Sequence, residues 1–156
     1  MKKLLLLLLI LPQLLSAKTI ANCQSPEGHT YFPYVGMSPK NMSNKWEKDK
    51  ISGGIFQLVQ NDAGEFDIQF VDASKLINSA KDDGGKVMVF SDTKNQVGIM
   101  VYYPGKVVET YTFIKNLSGE NEFLMTQSKV NVVIPKASAM RGTCTFLDIA
   151  SIKFKK

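Results

Sequence analysis

The stretch "IFQLVQNDAGEFDIQFV", residues 55 to 71, contains the clearest strand pattern in this chain. In its second half apolar and polar residues alternate, with Phe66, Ile68 and Phe70 set against Glu65, Asp67 and Gln69. Such a period of two is typical of an antiparallel strand with one buried face. The intervening "NDAG" contains Gly64, which readily adopts the positive φ of a hairpin turn. The stretch therefore predicts a β-hairpin with strands at 55–60 and 65–71.

The same alternation of apolar segments and turn residues continues to the end of the chain. We expect further strands at 86–91, 97–103, 106–114, 122–127, 130–134 and 143–154. About eight strands joined by short turns predict an all-β, single-domain antiparallel up-and-down barrel, or a two-sheet sandwich as the alternative. The segments "KVMVFS" and "VGIMVYY" are apolar at nearly every position, so both of their faces must be covered.

One segment has the spacing of a helix rather than a strand. In "DASKLINSAKDD", residues 72 to 83, Leu76, Ile77 and Ala80 recur on one side. Asp72 or Ser74 would cap this segment, and the glycine pair at 84–85 would end it. We expect at most one short helix, or a turn, at this position.

The chain begins "MKKLLLLLLILPQLLSAK", a basic head followed by an apolar run and small residues. This pattern predicts a signal peptide over residues 1–17, with cleavage after Ala17 or alternatively Ala21, and a single β-rich domain over 18–156. Without Lys2 and Lys3 the formal charge falls from +5 to +3. Lysines are scattered and arginine occurs once, at Arg141. We therefore expect no nucleic-acid binding and no stable membrane insertion.

The two cysteines, Cys23 and Cys144, lie near the two ends of the mature chain. In an oxidising compartment an even pair predicts a disulfide, which here would close a loop of about 120 residues. The competing interpretation is a lipoprotein anchored through Cys23, because Ile20 lies three places before it. Asn22 does not fit that motif, so we expect a periplasmic or secreted protein rather than an outer-membrane lipoprotein.

The segment from Pro26 to Lys50 carries an unusual share of aromatic residues and the single tryptophan, Trp46. We expect this segment to precede the first strand and to pack over the barrel, with Trp46 buried as part of the core or of a plug. The residues that we expect to contact a ligand or partner are Tyr31, Tyr34, Trp46, Tyr102 and Tyr103.

The sequence contains little catalytic chemistry. The only histidine, His29, is expected to be a loop residue, and the disulfide uses both thiols. Carboxylates cluster at Asp62, Glu65 and Asp67 and at residues 82–83, where we expect solvated surface. We predict no cofactor, no metal and no catalytic residue, and the sequence favours a protein that is not an enzyme.

These features leave three hypotheses about function. The first is a secreted or periplasmic β-barrel binding module for a small apolar ligand or an envelope protein. The second is a proteinaceous inhibitor of an envelope or host enzyme such as a lysozyme, using the loops "SPKNMSNK" and "IPKASAMR". The third is a hydrolase that uses Asp62, Glu65 and Asp67. A filled barrel interior would favour a protein partner, and an open one would favour a small ligand.

Overall fold

Ten strands and two short 3-10 helices form the part of the chain that the computed structural model describes, residues 17–38, 40–71 and 75–154. The strands are β1 (Lys18–Tyr31), β2 (Trp46–Lys50), β3 (Ile55–Gln60), β4 (Phe66–Val71), β5 (Ile77–Ser79), β6 (Lys86–Asp92), β7 (Gln96–Tyr103), β8 (Val107–Lys115), β9 (Asn121–Lys129) and β10 (Lys136–Leu147). The 3-10 helices are Lys40–Met42 and Ile149–Ser151. The predicted all-β class is confirmed.

Nine strands form one antiparallel sheet in the order β5-β4-β3-β1-β10-β9-β8-β7-β6, which curls into a half-barrel. Strands β6 to β10 follow one another as the predicted meander. The first strand, β1, lies in the middle of the sheet, where it pairs with β10 on one side and with β3 on the other. The separate strand β2 pairs with the final part of β1.

The expectation that the first strand begins at residue 55 was wrong. Residues 18–31 form the longest strand of the sheet, although their sequence lacks a continuous period of two. The register with β10 shifts between Asn22 and Cys23 and again between Gln24 and Glu27, and Ser25 has a φ of 53°. Each irregularity changes the face to which the following side chains point. Because of these bulges, residues 18–31 lack the continuous period-two alternation from which a strand is predicted.

Of the two alternatives expected over 72–83, a short helix or a turn, the described residues show the turn and no helix. Ile77–Ser79 form β5 and residues 80–84 form a turn, while the proposed caps Asp72 and Ser74 lie outside the described residues. Strand β5 is held on β4, where the Ser79 hydroxyl donates a 2.6 Å hydrogen bond to Asp67 Oδ2. Leu76 and Ile77 are exposed, so they do not form the apolar helix face that their spacing predicted.

Two differences concern the end of the chain. Residues 130–134 form a loop between β9 and β10 rather than a strand. Pairing with β9 begins only after Pro135, at Lys136. The strand expected over 143–154 ends at Leu147 and is followed by the second 3-10 helix. In that helix the Ser151 hydroxyl donates to the Asp148 carbonyl at 2.9 Å.

Aromatic side chains fill the interior of the half-barrel. Phe56 lies 5.6 Å from Phe123 and 6.0 Å from Tyr111, measured between ring centroids, and Phe113 lies 6.1 Å from Phe123. The surrounding aliphatic side chains are fully buried and come from both halves of the sheet; they are Ile20, Leu58, Ile68, Val97, Ile99 and Val101. In the described ranges no helix is long and apolar enough to cross a membrane.

Candidate interaction surface

Tyr31 and Trp46 form an aromatic pair at the start of β2. They are directly opposite each other in the ladder between β1 and β2, with ring centroids 5.6 Å apart and ring planes inclined by 54°. Trp46 is 58% exposed, so its expected burial in the core or in a plug is wrong. The core space that it was expected to fill is occupied by phenylalanines and Tyr111. Trp46 is therefore available for contact with another molecule.

The polar residues of β2 alternate between the two faces of the sheet. Trp46, Lys48 and Lys50 are exposed, whereas Glu47 and Asp49 are half-buried. The Thr30 hydroxyl, which is fully buried, donates to Asp49 Oδ2 at 2.8 Å. Glu47 forms an ion pair with Lys45. The bond to the buried Thr30 holds Asp49 on the inner side of β2, and the alternation of the strand places both lysines on the outer face.

A cleft of about 580 Å³ lies beside β2 and is lined by residues of β1, β2 and β10: Glu27, Gly28, His29, Lys48, Asp49, Lys50 and Arg141. The pairing of the strands brings these residues together, since Glu27 is opposite Lys50 on one side and Arg141 on the other. The cleft thus joins residues that are more than a hundred positions apart in the chain.

Cations outnumber anions in this cleft. Arg141 contacts Glu122 through two hydrogen bonds of 3.0 and 3.1 Å. This contact raises the pKa of Arg141 and lowers the pKa of Glu122. Within the described part of the chain, no ion pair engages Lys48 or Lys50. Arg141 is therefore engaged by Glu122, whereas Lys48 and Lys50 are the cations of the cleft that are able to bind an acidic group of another molecule.

The remaining tyrosines of the predicted contact set lie elsewhere. Tyr34 is exposed in the segment after β1, where its backbone N–H donates to Asn44 Oδ1 at 3.2 Å. Tyr102 is exposed on the outer face of β7. The next residue, Tyr103, faces the interior, where burial and then the charge of Glu109 raise its pKa to about 12. Of the five predicted contact residues, the structure brings only Tyr31 and Trp46 into ring contact.

A row of polar residues crosses the inner face of five strands and was not predicted. Directly opposed positions place Glu47, Thr30, Ser138, Gln127 and Glu109 side by side. Glu109 is buried, accepts a 2.7 Å hydrogen bond from the Tyr111 hydroxyl, and is also bonded by the Gln127 side-chain amide. The sequence shows polar residues at alternate positions of otherwise apolar strands. Whether these residues lie beside one another depends on the register between the strands, which the sequence does not show.

The carboxylates considered for acid–base chemistry have structural partners instead. Glu65 pairs with Lys81 at 3.3 Å, and Asp67 accepts hydrogen bonds from the Ser79 hydroxyl and the Lys81 backbone. Asp62 is exposed in the turn between β3 and β4. These interactions hold β5 and its following turn against β4.

His29 was expected to be a loop residue, and this expectation is wrong. His29 lies within β1, opposite Lys48 and Ala139, and lines the cleft. Lys50 and Arg141 were not singled out as contact residues either. Because β2 has only five residues, four of them charged, it has no apolar alternation from which the cleft is predictable.

The fold and this surface define an all-β protein with an exposed strand beside a charged cleft. The chain matches no protein-family model, no curated protein and no solved structure.

Proposed function

We propose that the protein is a binding module without catalytic activity, and that it binds an extended segment of a partner protein along β2. One observation carries the proposal: among the described residues, β2 pairs with β1 alone, so its outer edge has no strand partner. An unpaired strand edge offers backbone donors and acceptors to an incoming strand. Addition of a strand at this edge would extend the sheet.

The side chains beside this edge indicate the chemistry of the partner. Trp46 and Tyr31 provide a rigid aromatic contact, the kind of residue that dominates binding energy at protein interfaces. Lys48 and Lys50 have no ion-pair partner in the described ranges and follow Trp46 on the same face. We therefore expect a partner segment with an apolar residue followed by carboxylates at alternate positions.

The disulfide supports an extracytoplasmic site of action. Cys23 and Cys144 are bonded, which is compatible with an oxidising periplasmic or extracellular compartment. The bond also leaves no thiol on Cys23 to carry lipid, which argues against the lipoprotein interpretation. Together with the leader-like residues 1–17, this supports a secreted or periplasmic protein.

The alternatives have less support. Among the described residues, the aromatic and aliphatic side chains packed in the half-barrel favour a protein partner over a small apolar ligand in its interior. For the enzyme-inhibitor hypothesis, the segment "IPKASAMR" is not a protruding loop, because Lys136–Leu147 form β10. The hydrolase hypothesis requires free carboxylates, yet Glu65 and Asp67 are bonded within the fold.

A library of extended peptides tests the proposal. We expect selection on the intact protein to enrich acidic peptides that contain an aromatic or aliphatic residue. Trp46→Ala should weaken their binding tenfold or more, and the double variant Lys48→Glu/Lys50→Glu should abolish the preference for acidic residues. Tyr102→Ala is the matched control, since this exposed tyrosine lies on β7, away from β2.

Amide hydrogen exchange distinguishes strand addition from other modes of binding. Backbone amides of β2 should gain protection when an enriched peptide binds, whereas those of β6, which ends the other side of the sheet, should not. Enrichment of apolar peptides regardless of charge, or protection confined to β6, would refute the proposed site.

A further inference from the structure

Three loops meet at one end of the half-barrel, and we call them the loop end: residues 33–38, 104–106 and 130–135. The backbone N–H of Met37 donates to the Val133 carbonyl at 3.4 Å. The N–H of Val130 donates to the Lys106 carbonyl at 2.7 Å, and the Asn131 side-chain amide donates to the Gly105 carbonyl at 3.1 Å. These bonds fix the loops beside one another.

The loop end exposes large apolar side chains. Met37 is 73% exposed and Val133 is 64% exposed, and the two residues are joined by the backbone hydrogen bond. Four more exposed apolar residues lie on the same two loops: Tyr34, Val35, Val130 and Ile134. Exposed apolar residues that are grouped in this way mark a contact surface, whereas isolated ones do not.

The charged side chains on the three loops and at the strand ends that flank residues 130–135 are lysines. The three loops contain no aspartate or glutamate. Lys106 lies within them, and Lys129 and Lys136 directly flank residues 130–135. No ion pair of the described residues engages these three lysines. The loop end therefore combines apolar tips with a surround of positive charge.

Two of these lysines are placed unfavourably in the isolated protein. Lys129 and Lys136 are directly opposite each other at the ends of β9 and β10. Like charges in opposed positions of a ladder repel each other. Burial, followed by the charge of Lys129, lowers the pKa of Lys136, and the attraction of Asp49 and Glu109 offsets this only in part. An anion bound between the two ammonium groups would relieve the repulsion.

We infer that the loop end docks onto the surface of a lipid bilayer that contains anionic phospholipids. We choose a bilayer because of the order of the side chains along the long axis of the strands. The apolar residues occupy the loops, and Lys129 and Lys136 lie behind them at the strand ends. A bilayer presents the same order, with hydrocarbon below a layer of phosphates. Tyr34 fits the intermediate layer, where tyrosine is enriched. The docking is peripheral, through side chains of the loops.

Cosedimentation of the full mature protein with vesicles tests this inference. We expect saturable binding to vesicles of phosphatidylcholine with phosphatidylglycerol, little binding to phosphatidylcholine alone, and weaker binding as salt increases. The double variant Met37→Asp/Val133→Asp should reduce binding tenfold or more. Leu117→Asp is the matched control, because this fully exposed leucine lies in the turn between β8 and β9, at the opposite end of both strands from residues 130–135.

Charge variants provide a second measurement. Lys129→Glu/Lys136→Glu should remove the preference for phosphatidylglycerol, whereas Lys94→Glu, in the exposed turn between β6 and β7, should leave it unchanged. Thermal midpoints equal to that of the unaltered protein identify variants that remain folded. Absence of binding to anionic vesicles would overturn the inference, as would equal losses for Leu117→Asp and Met37→Asp/Val133→Asp. The inference is also overturned if the unaltered protein binds no vesicles and Met37→Asp/Val133→Asp instead abolishes binding to a protein partner. The loop end would then be assigned to that partner.

Discussion

Cys23 and Cys144 are directly opposite each other in the antiparallel pair of β1 and β10, and a disulfide joins them. The predicted pairing is confirmed. Cys23 lies in β1, an interior strand of the sheet that pairs with β10 on one side and with β3 on the other. The bond therefore links the two ends of the chain within the core.

This position predicts that reduction destabilises the whole sheet in one step. The disulfide closes a loop with a sequence separation of 121 residues, and the chain-entropy model assigns about 5 kcal/mol to a loop of this length. Changing both cysteines to serine should lower the free energy of unfolding by about 4–5 kcal/mol. Denaturation in urea, followed by circular dichroism with and without reductant, measures the change. Early release of residues 18–31 before the remaining strands unfold would contradict the prediction.

The fluorescence of Trp46 should be that of an exposed tryptophan rather than of a buried one. Since it is the only tryptophan, all indole emission comes from it, and its side chain is 58% exposed. We expect emission close to that of the unfolded chain and efficient quenching by acrylamide in the native state. Trp46→Ala should cost about 1 kcal/mol of stability, the size of an exposed cross-strand pair. A strong blue shift of the native emission would show that Trp46 is buried.

Two glycines should have very different tolerance for alanine. A Cβ at Gly28 would meet the backbone of β10, with Met140 Cα at 2.8 Å. A Cβ at Gly98 would meet Phe90 Cζ at 2.6 Å, but Phe90 is an exposed side chain that is able to rotate away. Gly28→Ala should therefore destabilise the fold by about 2–3 kcal/mol, and Gly98→Ala by about 1 kcal/mol or less. Equal midpoints in urea for the two variants would contradict this difference.

Substitutions at two residues of the polar row should affect the stability of the fold differently. The Ser138 hydroxyl is buried and has no hydrogen-bond partner among the described residues, whereas the Thr30 hydroxyl donates to Asp49. Ser138→Ala should leave stability unchanged or raise it by about 1 kcal/mol, because an unpaired polar group is removed. Thr30→Val should cost about 1–3 kcal/mol, because Asp49 loses a donor. Thermal denaturation of both variants measures the difference, and a larger loss for Ser138→Ala would contradict it.

Stability should fall at high pH because of the interior tyrosines. The pKa of Tyr103 is raised from 10.0 to about 12, first by burial and then by Glu109, and the pKa of Tyr111 is raised for the same reasons. A raised pKa favours the protonated form in the folded state. Its stabilising contribution is complete below pH 10, the ordinary value, and is lost as the pH rises through about 12.

Urea midpoints measured across this alkaline range test the effect. Tyr103→Phe should make the decline with pH less steep, since one raised group is removed. Tyr34→Phe is the control because that tyrosine is exposed in the loop after β1. An identical decline for the two variants would show that Tyr103 does not contribute.

The strands that were predictable from the sequence are apolar or alternating segments bounded by turn residues. Strand β3 was predicted with the bounds that it has, and β4, β6, β7 and β8 were placed within one or two residues. Alternation is a local property, because successive side chains of a strand point to opposite faces. The disulfide was determined as well, since two cysteines allow one intramolecular pairing.

The positions of β1 and β2, and the residues of the candidate surface, depend on contacts between remote parts of the chain. The bulges of β1 interrupt its alternation, and β1 becomes a strand through hydrogen bonds to β10, more than a hundred residues away. The exposure of Trp46 likewise depends on which remote side chains fill the core. Glu27, Lys50 and Arg141 become neighbours through register, and register is a property of paired strands rather than of any one segment.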